Sequence, residues 1–259
     1  MHHTRALVVL ALAGTSGLAA SCAHHPAVPP VPRRAPGGPC FEGQILVEHF
    51  CVDRYEAYVV ELDASGAEHP HSPYDVIGDR RVRARVAADV VPQAYISQVQ
   101  ARAACVEAGK RLCTADEYVR ACRGPSKNDL YPYGGMQRKP GVCNEGKGSF
   151  VALAFGQDFN KLTYEQFNDP KLDQMPNGLA HTGAFPRCVS PDGAYDMVGN
   201  LHEWVDEESG GHGRFRGGWY GDAENNFPGC HYVTTAHEPT YHDYSTGFRC
   251  CADPGKRPP

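Results

Sequence analysis

The segment from Arg216 to Cys230, RGGWYGDAENNFPGC, concentrates residue types that can contact a ligand. Two adjacent aromatic side chains are followed by carboxylates and amides, whose hard oxygen atoms suit a polar ligand or a hard cation and do not suit Cu(I). The candidate ligand contacts in this segment are Trp219, Tyr220, Asp222, Glu224 and Asn225. Two alternatives stay open, because the segment could be a solvated loop and the aromatic pair could belong to the core.

A second group of oxygen donors occurs in the sequence GNLHE, residues 199–203. Calcium binds carboxylate, amide and backbone carbonyl oxygens. Asn200 and Glu203 supply side-chain oxygens, while Gly199 and Leu201 could turn their carbonyl groups inward, so this segment predicts a calcium site. In the alternative, Asn200 only forms a tight turn and Glu203 pairs with an arginine. We expect His202 to pack in the interior and not to bind a metal.

Histidines near the end of the chain form a third possible site. His231, His237, His242 and Asp243 lie close in sequence and could supply nitrogen and oxygen ligands to iron or copper. Histidines in loops are more often solvated or act as caps, so this redox site is retained only as an alternative.

The amino-terminal residues carry the pattern of an export signal. Residues 1–22 combine a basic start, a short apolar run and the sequence GLAASC, which resembles a bacterial lipoprotein box ending at Cys22. Residues 23–39 are rich in proline and have little apolar bulk, so we expect an extended tether. The pattern predicts an exported lipoprotein of the cell envelope, bound to the lipid bilayer through acylated Cys22. Ordinary secretion is the alternative.

Ten of the eleven cysteines remain once Cys22 is set aside. An even number in an exported chain indicates disulfide bonds. A metal cluster is the less favoured alternative, because no Cys-x-x-Cys pair occurs and the spacings are irregular. The ten residues are Cys40, Cys51, Cys105, Cys113, Cys122, Cys143, Cys188, Cys230, Cys250 and Cys251.

Composition limits the class of protein. The chain has 259 residues, of which 41% are hydrophobic and 21% charged, with a formal net charge of -5, so it is typical of a soluble protein without a nucleic-acid partner. Its 28 glycines and 21 prolines favour a loop-rich body over a helical bundle.

We expect a single domain, residues 40–252, to position these candidate site residues. Residues 253–259 are expected to form a tail. The β-branched and aromatic stretch 44–62 predicts one or two strands, and the stretch 72–95 is irregular. Beyond Arg123, frequent Gly, Pro, Asn and Asp predict short strands with long, structured loops.

Two helices are predicted between these regions. The first has Ser97 as a possible N-cap and Gly109 as a stop signal. The second begins with a capping box formed by Thr114 and Glu117 and ends at Gly124.

Four phrases, in this order, resemble the formylglycine-generating enzyme family, also called sulfatase-modifying factors. They are GKRLCTADEYVRACRG (109–124), YPYGG (131–135), GAYDMVGNLHEWV (193–205), and RGGWY with GFRCC (216–251). The resemblance implies an α+β, loop-rich fold related to C-type lectins, with two main helices and small antiparallel sheets. It also implies two disulfides, Cys105–Cys250 and Cys122–Cys230. For the remaining cysteines we predict the pairs Cys40–Cys51, Cys113–Cys251 and Cys143–Cys188.

The resemblance also bears on metals. GNLHEW looks like the calcium-binding turn of the family, and a second calcium site is implied at Asn144. Active members resemble copper thiolate oxidases, in which two cysteines after the RGG phrase bind Cu(I). Asp222 and Phe227 occupy those positions here, and no cysteine occurs between Gly218 and Cys230. We therefore expect calcium as cofactor and do not expect copper.

Two functions follow from this pattern. The first is a binding or structural module without catalytic residues that holds a peptide, a glycan or an envelope protein. The alternative is an enzyme, either a metal-dependent oxidoreductase or a sulfatase-maturation factor that uses other ligands.

Overall fold

The computed structural model describes residues 38–156 and 161–255. Within these ranges it contains eleven strands and four α-helices, which confirms the mixed α+β class. The strands are β1 (Gln44–Val47), β2 (Phe50–Asp53), β3 (Tyr58–Leu62), β4 (Glu68–Pro70), β5 (Val82–Arg85), β6 (Arg111–Leu112), β7 (His202–Ser209), β8 (His212–Arg216), β9 (Val233–His237), β10 (Thr246–Phe248) and β11 (Cys250–Ala252). The helices are α1 (Gln98–Glu107), α2 (Ala115–Arg123), α3 (Phe150–Phe155) and α4 (Tyr164–Phe167).

The strands form three small sheets, with the orders β1-β2-β11-β6, β10-β7-β8-β9 and β4-β3-β5. Their pairs are antiparallel except for β10 and β7, a parallel pair that the sequence did not predict. The stretch 44–62 contains three strands, because a tight turn at Glu48, with φ of 52°, separates β1 from β2. Strand β5 lies in the stretch 72–95, which was expected to be irregular, and its Val82 and Ala84 are buried.

Helices α1 and α2 begin where their local signals indicate. The side chain of Ser97 accepts a hydrogen bond from the backbone of Gln100, and Thr114 does the same for Glu117, so both helices have a complete capping box. Gly124 ends α2 at a φ of 70°. The two short helices α3 and α4 were not predicted, because neither is long enough to show helical periodicity.

The structure forms all five cysteine pairs expected from the sequence: Cys40–Cys51, Cys105–Cys250, Cys113–Cys251, Cys122–Cys230 and Cys143–Cys188. Cys105–Cys250 links α1 to β11, and Cys113–Cys251 links the segment before α2 to the same strand. The last strand is therefore fixed to the first helical layer.

Strand β7 connects the two main core clusters. Trp204 packs in the cluster that contains α1 residues, whereas Val205 belongs to the cluster that contains Tyr118 of α2. Consecutive strand residues face opposite sides, so one strand contacts both helical layers. The indole N–H of Trp204 donates to the carbonyl of Ile96 at 2.8 Å, which satisfies its buried donor.

In the part of the chain that the structure describes, no helix is both long and apolar enough to cross a bilayer. Residues 1–37, with Cys22 and most of the expected tether, lie outside the described residues, as do residues 256–259 of the tail.

Candidate functional site

A pocket with a volume of about 490 Å³ lies between α4, the strands β7 to β9 and the segment 241–245. We call it the aromatic pocket. It is lined by Tyr164, Phe167, His202, Phe215, Trp219, Asn226, Tyr232, Thr234, His237, Tyr241, Asp243, Tyr244 and Ser245.

Eight rings follow one another around the wall of the aromatic pocket. The centroid distances are 5.6 Å for Tyr164–Tyr241, 3.8 Å for Tyr241–His237, 5.7 Å for His237–Phe215, 4.4 Å for Phe215–His202, 6.2 Å for His202–Trp219, 5.1 Å for Trp219–Tyr244 and 6.4 Å for Tyr244–Phe167. Tyr164 and Phe167, the two ends of this series, stand on the same short helix α4.

A continuous hydrogen-bond chain runs through the polar side of the aromatic pocket. Asn226 Nδ2 donates to the Tyr232 hydroxyl at 3.2 Å, and that hydroxyl lies 3.3 Å from His202 Nε2. His202 Nδ1 is 3.1 Å from Ser245 Oγ, which donates to Asp243 Oδ1 at 2.7 Å. Because the serine gives its hydrogen to the carboxylate, it accepts from Nδ1–H, and Nε2 is left as the acceptor for Tyr232.

The charges in the aromatic pocket follow from burial. Burial lowers the pKa of His202 well below its usual value and also lowers the pKa of His237, so both rings are neutral near pH 7. Burial raises the pKa of Asp243. Three donors nevertheless surround its carboxylate: the Ser245 backbone N–H at 2.8 Å, the Ser245 hydroxyl at 2.7 Å and the Tyr241 hydroxyl at 2.6 Å.

The loop after the RGG phrase brings only part of its candidate residues to this pocket. Trp219 forms a wall of the aromatic pocket, while Tyr220 is fully buried and donates to Asp173 Oδ1 at 2.9 Å. Trp219 is therefore a residue of the pocket wall, and Tyr220 is a residue of the core. Gly217 and Gly218 have φ of 82° and 74°, and a Cβ on Gly217 would lie 2.3 Å from the Tyr118 hydroxyl. Glycine is required there by both conformation and space.

Two polar candidates of the loop, Asp222 and Glu224, make side-chain hydrogen bonds within the protein. The Asp222 carboxylate accepts the backbone N–H groups of Glu224 and Asn225 at 3.2 and 3.3 Å, as in an Asx turn. The Glu224 carboxylate accepts the Tyr131 hydroxyl at 2.9 Å. Asp222, Glu224 and Asn225 are not among the described residues that line the aromatic pocket. The loop reaches the pocket through Trp219 and Asn226.

No thiolate is available near this loop. Asp222 and Phe227 stand where the copper cysteines are expected, and Phe227 is 68% exposed with a φ of 66°. Every cysteine in the ranges 38–156 and 161–255 is in a disulfide. The donor set therefore does not fit Cu(I), which needs reduced sulfur.

The candidate calcium turn lies against a set of buried charges, which we call the buried charge cluster. Its members are Asp53, Glu56, Lys110, Asp196, Glu203 and Arg249. Arg249 binds Glu203 through two hydrogen bonds, Nε to Oε2 at 2.5 Å and Nη2 to Oε1 at 2.6 Å, and Lys110 binds Asp53 at 2.6 Å. Burial raises the pKa of Asp196 to about 7.

Glu203 thus has the arginine partner that the sequence kept as an alternative, and its carboxylate is not free for a cation. Asn200 has the expected turn conformation, with φ of 59°, and its Nδ2 donates to Glu56 Oε2 at 2.5 Å. Asn144 Nδ2 donates to Asn200 Oδ1 at 2.7 Å, while Asn144 Oδ1 is buried and has no hydrogen-bond partner among the described residues. Of the side-chain oxygens expected to bind calcium, the one that fits an ion best is therefore Asn144 Oδ1. The carbonyls of Gly199 and Leu201 belong to the same turn.

The histidine site kept as an alternative is not assembled. The described residues contain no group of three or more His, Cys, Asp or Glu side chains that could hold a metal. His237 stacks on Tyr241, and His242 Nδ1 lies 2.7 Å from Asn168 Oδ1. Burial, together with the nearby charges of Arg123 and Arg216, lowers the pKa of His231. Proximity in sequence did not produce proximity of the ring nitrogens.

Sequence reasoning missed most of the aromatic pocket. Its residues come from α4, three strands and two loops, and no local pattern links them. His202 was expected to pack, and it is buried at 6% exposure, but it also lines the pocket and joins the hydrogen-bond chain. The advance signals were the aromatic pair at Trp219 and the histidine-rich segment near the end of the chain, whose His237 and Asp243 line the pocket.

Comparisons with known proteins place this chain in a family. The model of the sulfatase-modifying factor enzyme 1-like domain matches residues 44–254. An inactive C-alpha-formylglycine-generating enzyme 2 from Bos taurus is 30% identical over 177 residues, which cover 64% of this chain and 52% of the relative. The formylglycine-generating enzyme of Mus musculus is 31% identical over 118 residues, covering 45% of this chain and 27% of that enzyme. The chain thus spans about half or less of the length of these relatives.

Among solved structures, PvdO from Pseudomonas aeruginosa has a TM-score of 0.48 at 17% identity and covers 79% of this chain and 80% of its own. The Major Tropism Determinant I1 variant has a TM-score of 0.48 at 13% identity, covering 83% of this chain and 54% of its own. Because the family model covers most of the chain, the protein belongs to the formylglycine-generating enzyme (sulfatase-modifying factor) family.

Proposed function

We propose that this protein is a non-catalytic binding module of the formylglycine-generating enzyme family, which holds part of a ligand in the aromatic pocket. One observation carries the proposal: a pocket of about 490 Å³ adjoins the loop whose copper-ligand positions are Asp222 and Phe227. The scaffold around the site is retained, while the sulfur chemistry of the active members has no residues to support it.

The aromatic pocket has the properties of a ligand site. Small-molecule pockets have volumes of about 300–1,000 Å³ and apolar walls with a few fixed polar groups. Here the wall is a series of eight rings that begins and ends on α4, and the polar groups are held by the hydrogen-bond chain from Asn226 to Asp243. Tyr164 is 46% exposed, so the ring series reaches solvent there. A side chain of a peptide, a unit of a glycan or a group of an envelope protein could enter.

Ligand-observed NMR with a library of small soluble compounds tests this proposal. Thr234→Trp would fill the aromatic pocket from β9, and Val233→Trp is the matched control because neighbouring strand residues face opposite sides. We expect wild type and Val233→Trp to bind a common subset of compounds that Thr234→Trp does not bind. Identical binding by all three proteins would overturn the assignment of the pocket.

The enzyme alternative makes the opposite prediction for chemistry. After incubation with Cu(I) or Fe(II), a redox enzyme would retain stoichiometric metal, consume oxygen and convert a cysteine-containing sulfatase peptide to the aldehyde. We expect neither retained redox metal nor aldehyde. If the wild-type protein retains redox metal or forms the aldehyde, and if variants of nearby histidines lose that property, the protein is an oxidoreductase and the proposal of a binding module is wrong.

We also propose that the protein is exported and anchored to the membrane through acylated Cys22. The proposal rests on the sequence alone, since Cys22 precedes the described residues. Metabolic labelling with an alkyne fatty acid should label the wild type and not Cys22→Ser. Equal labelling of both would disprove acylation at this residue.

Calcium is proposed at the corner formed by Asn144 and residues 199–201. The buried Asn144 Oδ1 without a partner supports this site. Arg249 occupies the carboxylate of Glu203, so that residue is left out of the proposed ligand set.

A further inference from the structure

We propose that the group held in the aromatic pocket is an organic cation, namely an alkylammonium or quaternary ammonium group on an apolar stem. This inference rests on the proposed binding function and specifies its ligand class. It follows from the sign of the charge in the pocket and from the faces of the rings.

The aromatic pocket has charge of one sign only. Among its described lining residues, Asp243 is the single acid, and neither lysine nor arginine is present. The two histidines are His202, whose Nδ1–H is committed to Ser245, and His237, which is stacked between Phe215 and Tyr241. An anionic ligand would therefore meet no countercharge, whereas a cation would meet a carboxylate.

Asp243 differs from two acids of the buried charge cluster, which have cationic partners. Asp53 is neutralised by Lys110 and Glu203 by Arg249. The described partners of the Asp243 carboxylate are neutral donors, the Ser245 backbone and hydroxyl and the Tyr241 hydroxyl. These donors orient the carboxylate and favour its ionised form without cancelling its charge. A bound ammonium group would complete the pair.

The ring series supplies the second half of the recognition. A cation within about 6 Å of an aromatic face is stabilised by the ring quadrupole, and tryptophan is the strongest such ring. Trp219 and Tyr244 meet nearly at right angles, at 87°, while Tyr241 and Tyr164 are inclined at 50°. Rings set at different angles present both faces and edges to one volume, so an ammonium group can contact several of them at once. The apolar stem would lie along Phe167 and Phe215.

Such a group could come from a free small molecule or from a lysine side chain, and matched probes separate these sources. The first pair is choline and its uncharged carbon isostere 3,3-dimethylbutan-1-ol. The second pair is Nα-acetyl-lysine methylamide and Nα-acetyl-norleucine methylamide. Calorimetry or Trp219 fluorescence gives the affinity of each probe for the oxidised protein.

We expect the cation of at least one pair to bind about tenfold or more tightly than its neutral partner, as one or two cation–π contacts and an ion pair would give. Preference in the choline pair alone identifies a free ligand, and preference in the lysine pair identifies a side chain. Asp243→Asn should abolish the preference. Asp206→Asn, which removes a carboxylate from the exposed part of β7, should leave it unchanged.

Neutral probes that bind as tightly as the cations would overturn this inference and leave the proposed binding function intact. Absence of binding by all four probes, in a protein that does bind library compounds in the pocket, would overturn it equally. If Asp243→Asn does not fold, two measurements decide the question: the affinities of the wild type for the cationic and neutral probes, and the same affinities of Trp219→Leu. That variant should lower the affinity for the cation more than the affinity for its neutral isostere.

Discussion

The buried pair Glu203–Arg249 predicts an asymmetry that stability measurements can test. The side chains are 0% and 1% exposed. Removing one member of a buried ion pair leaves an unpaired charge and typically costs about 3–5 kcal/mol. The two removals differ here, because the buried charge cluster contains four acids, Asp53, Glu56, Asp196 and Glu203, and only two cations, Lys110 and Arg249.

Arg249→Met should therefore be the more damaging change. It leaves Glu203 beside the other acids and removes the donors to the carbonyls of Asp53 and Tyr195, so we expect a loss at the upper end, about 5 kcal/mol or more. Glu203→Gln keeps the shape of the side chain, still accepts one hydrogen bond and lowers the acidic excess by one. We expect about 2–3 kcal/mol for that change, the cost of one charge-assisted hydrogen bond.

Urea denaturation at pH 7 with the disulfides intact gives both values, and the double variant completes a mutant cycle. Arg81→Met serves as the surface control, because its pair with Glu107 is 56% and 26% exposed and is screened by solvent, so its loss should be far smaller than either buried change. A loss for Glu203→Gln equal to or larger than that for Arg249→Met would refute the argument from the excess of acidic groups over cations in this cluster.

Three further predictions concern the loop, the aromatic pocket and calcium. Replacing Cys122 and Cys230 by alanine should lower the free energy of unfolding by about 2–5 kcal/mol. Asp222→Ala should cost only about 1 kcal/mol, since it removes the turn contacts and an interaction with the Tyr232 hydroxyl at a partly exposed position. Equal losses in thermal unfolding would contradict a dispensable loop. His202 has a lowered pKa, so the unfolded chain binds a proton that the folded chain does not, and stability is lost as pH falls below about 6.5. His202→Phe should reduce that slope by up to about 1.4 kcal/mol per pH unit in urea titrations at pH 5, 6 and 7, and an unchanged slope would exclude a buried neutral histidine. A chelator should lower the Tm of the wild type and not that of Asn144→Ala, and a wild type indifferent to calcium would remove the proposed site.

The parts of the fold that sequence predicts are those with local signals. Ser97 and Thr114 mark helix starts because their hydroxyls cap backbone N–H groups only a few residues away. The cysteine pairs followed from family resemblance for Cys105 and Cys122, and the remaining three pairs were also formed. Strand β5 had the alternating signal but is only four residues long.

The aromatic pocket could not be predicted because its cause is tertiary. Phe215 and His237 stack at 5.7 Å only because β8 pairs with β9, and Tyr164 meets Tyr241 across more than seventy positions of sequence. Likewise, Glu203 could be read as a calcium ligand or an arginine partner until Arg249 was placed beside it.

The adjacent cysteines of β11 have a consequence for how the oxidised protein is made. Cys250 and Cys251 face opposite sides of the strand. Cys250 bonds to Cys105 in one core cluster, and Cys251 bonds to Cys113 in another. A strand displaced by one position would present each thiol to the wrong partner, and oxidation would then make that error permanent. The exchanged isomer would have the same mass, charge and number of bridges as the native protein. Mass measurement of the intact chain cannot distinguish the two, so a preparation is shown to be native only by peptide mapping of the linkages themselves.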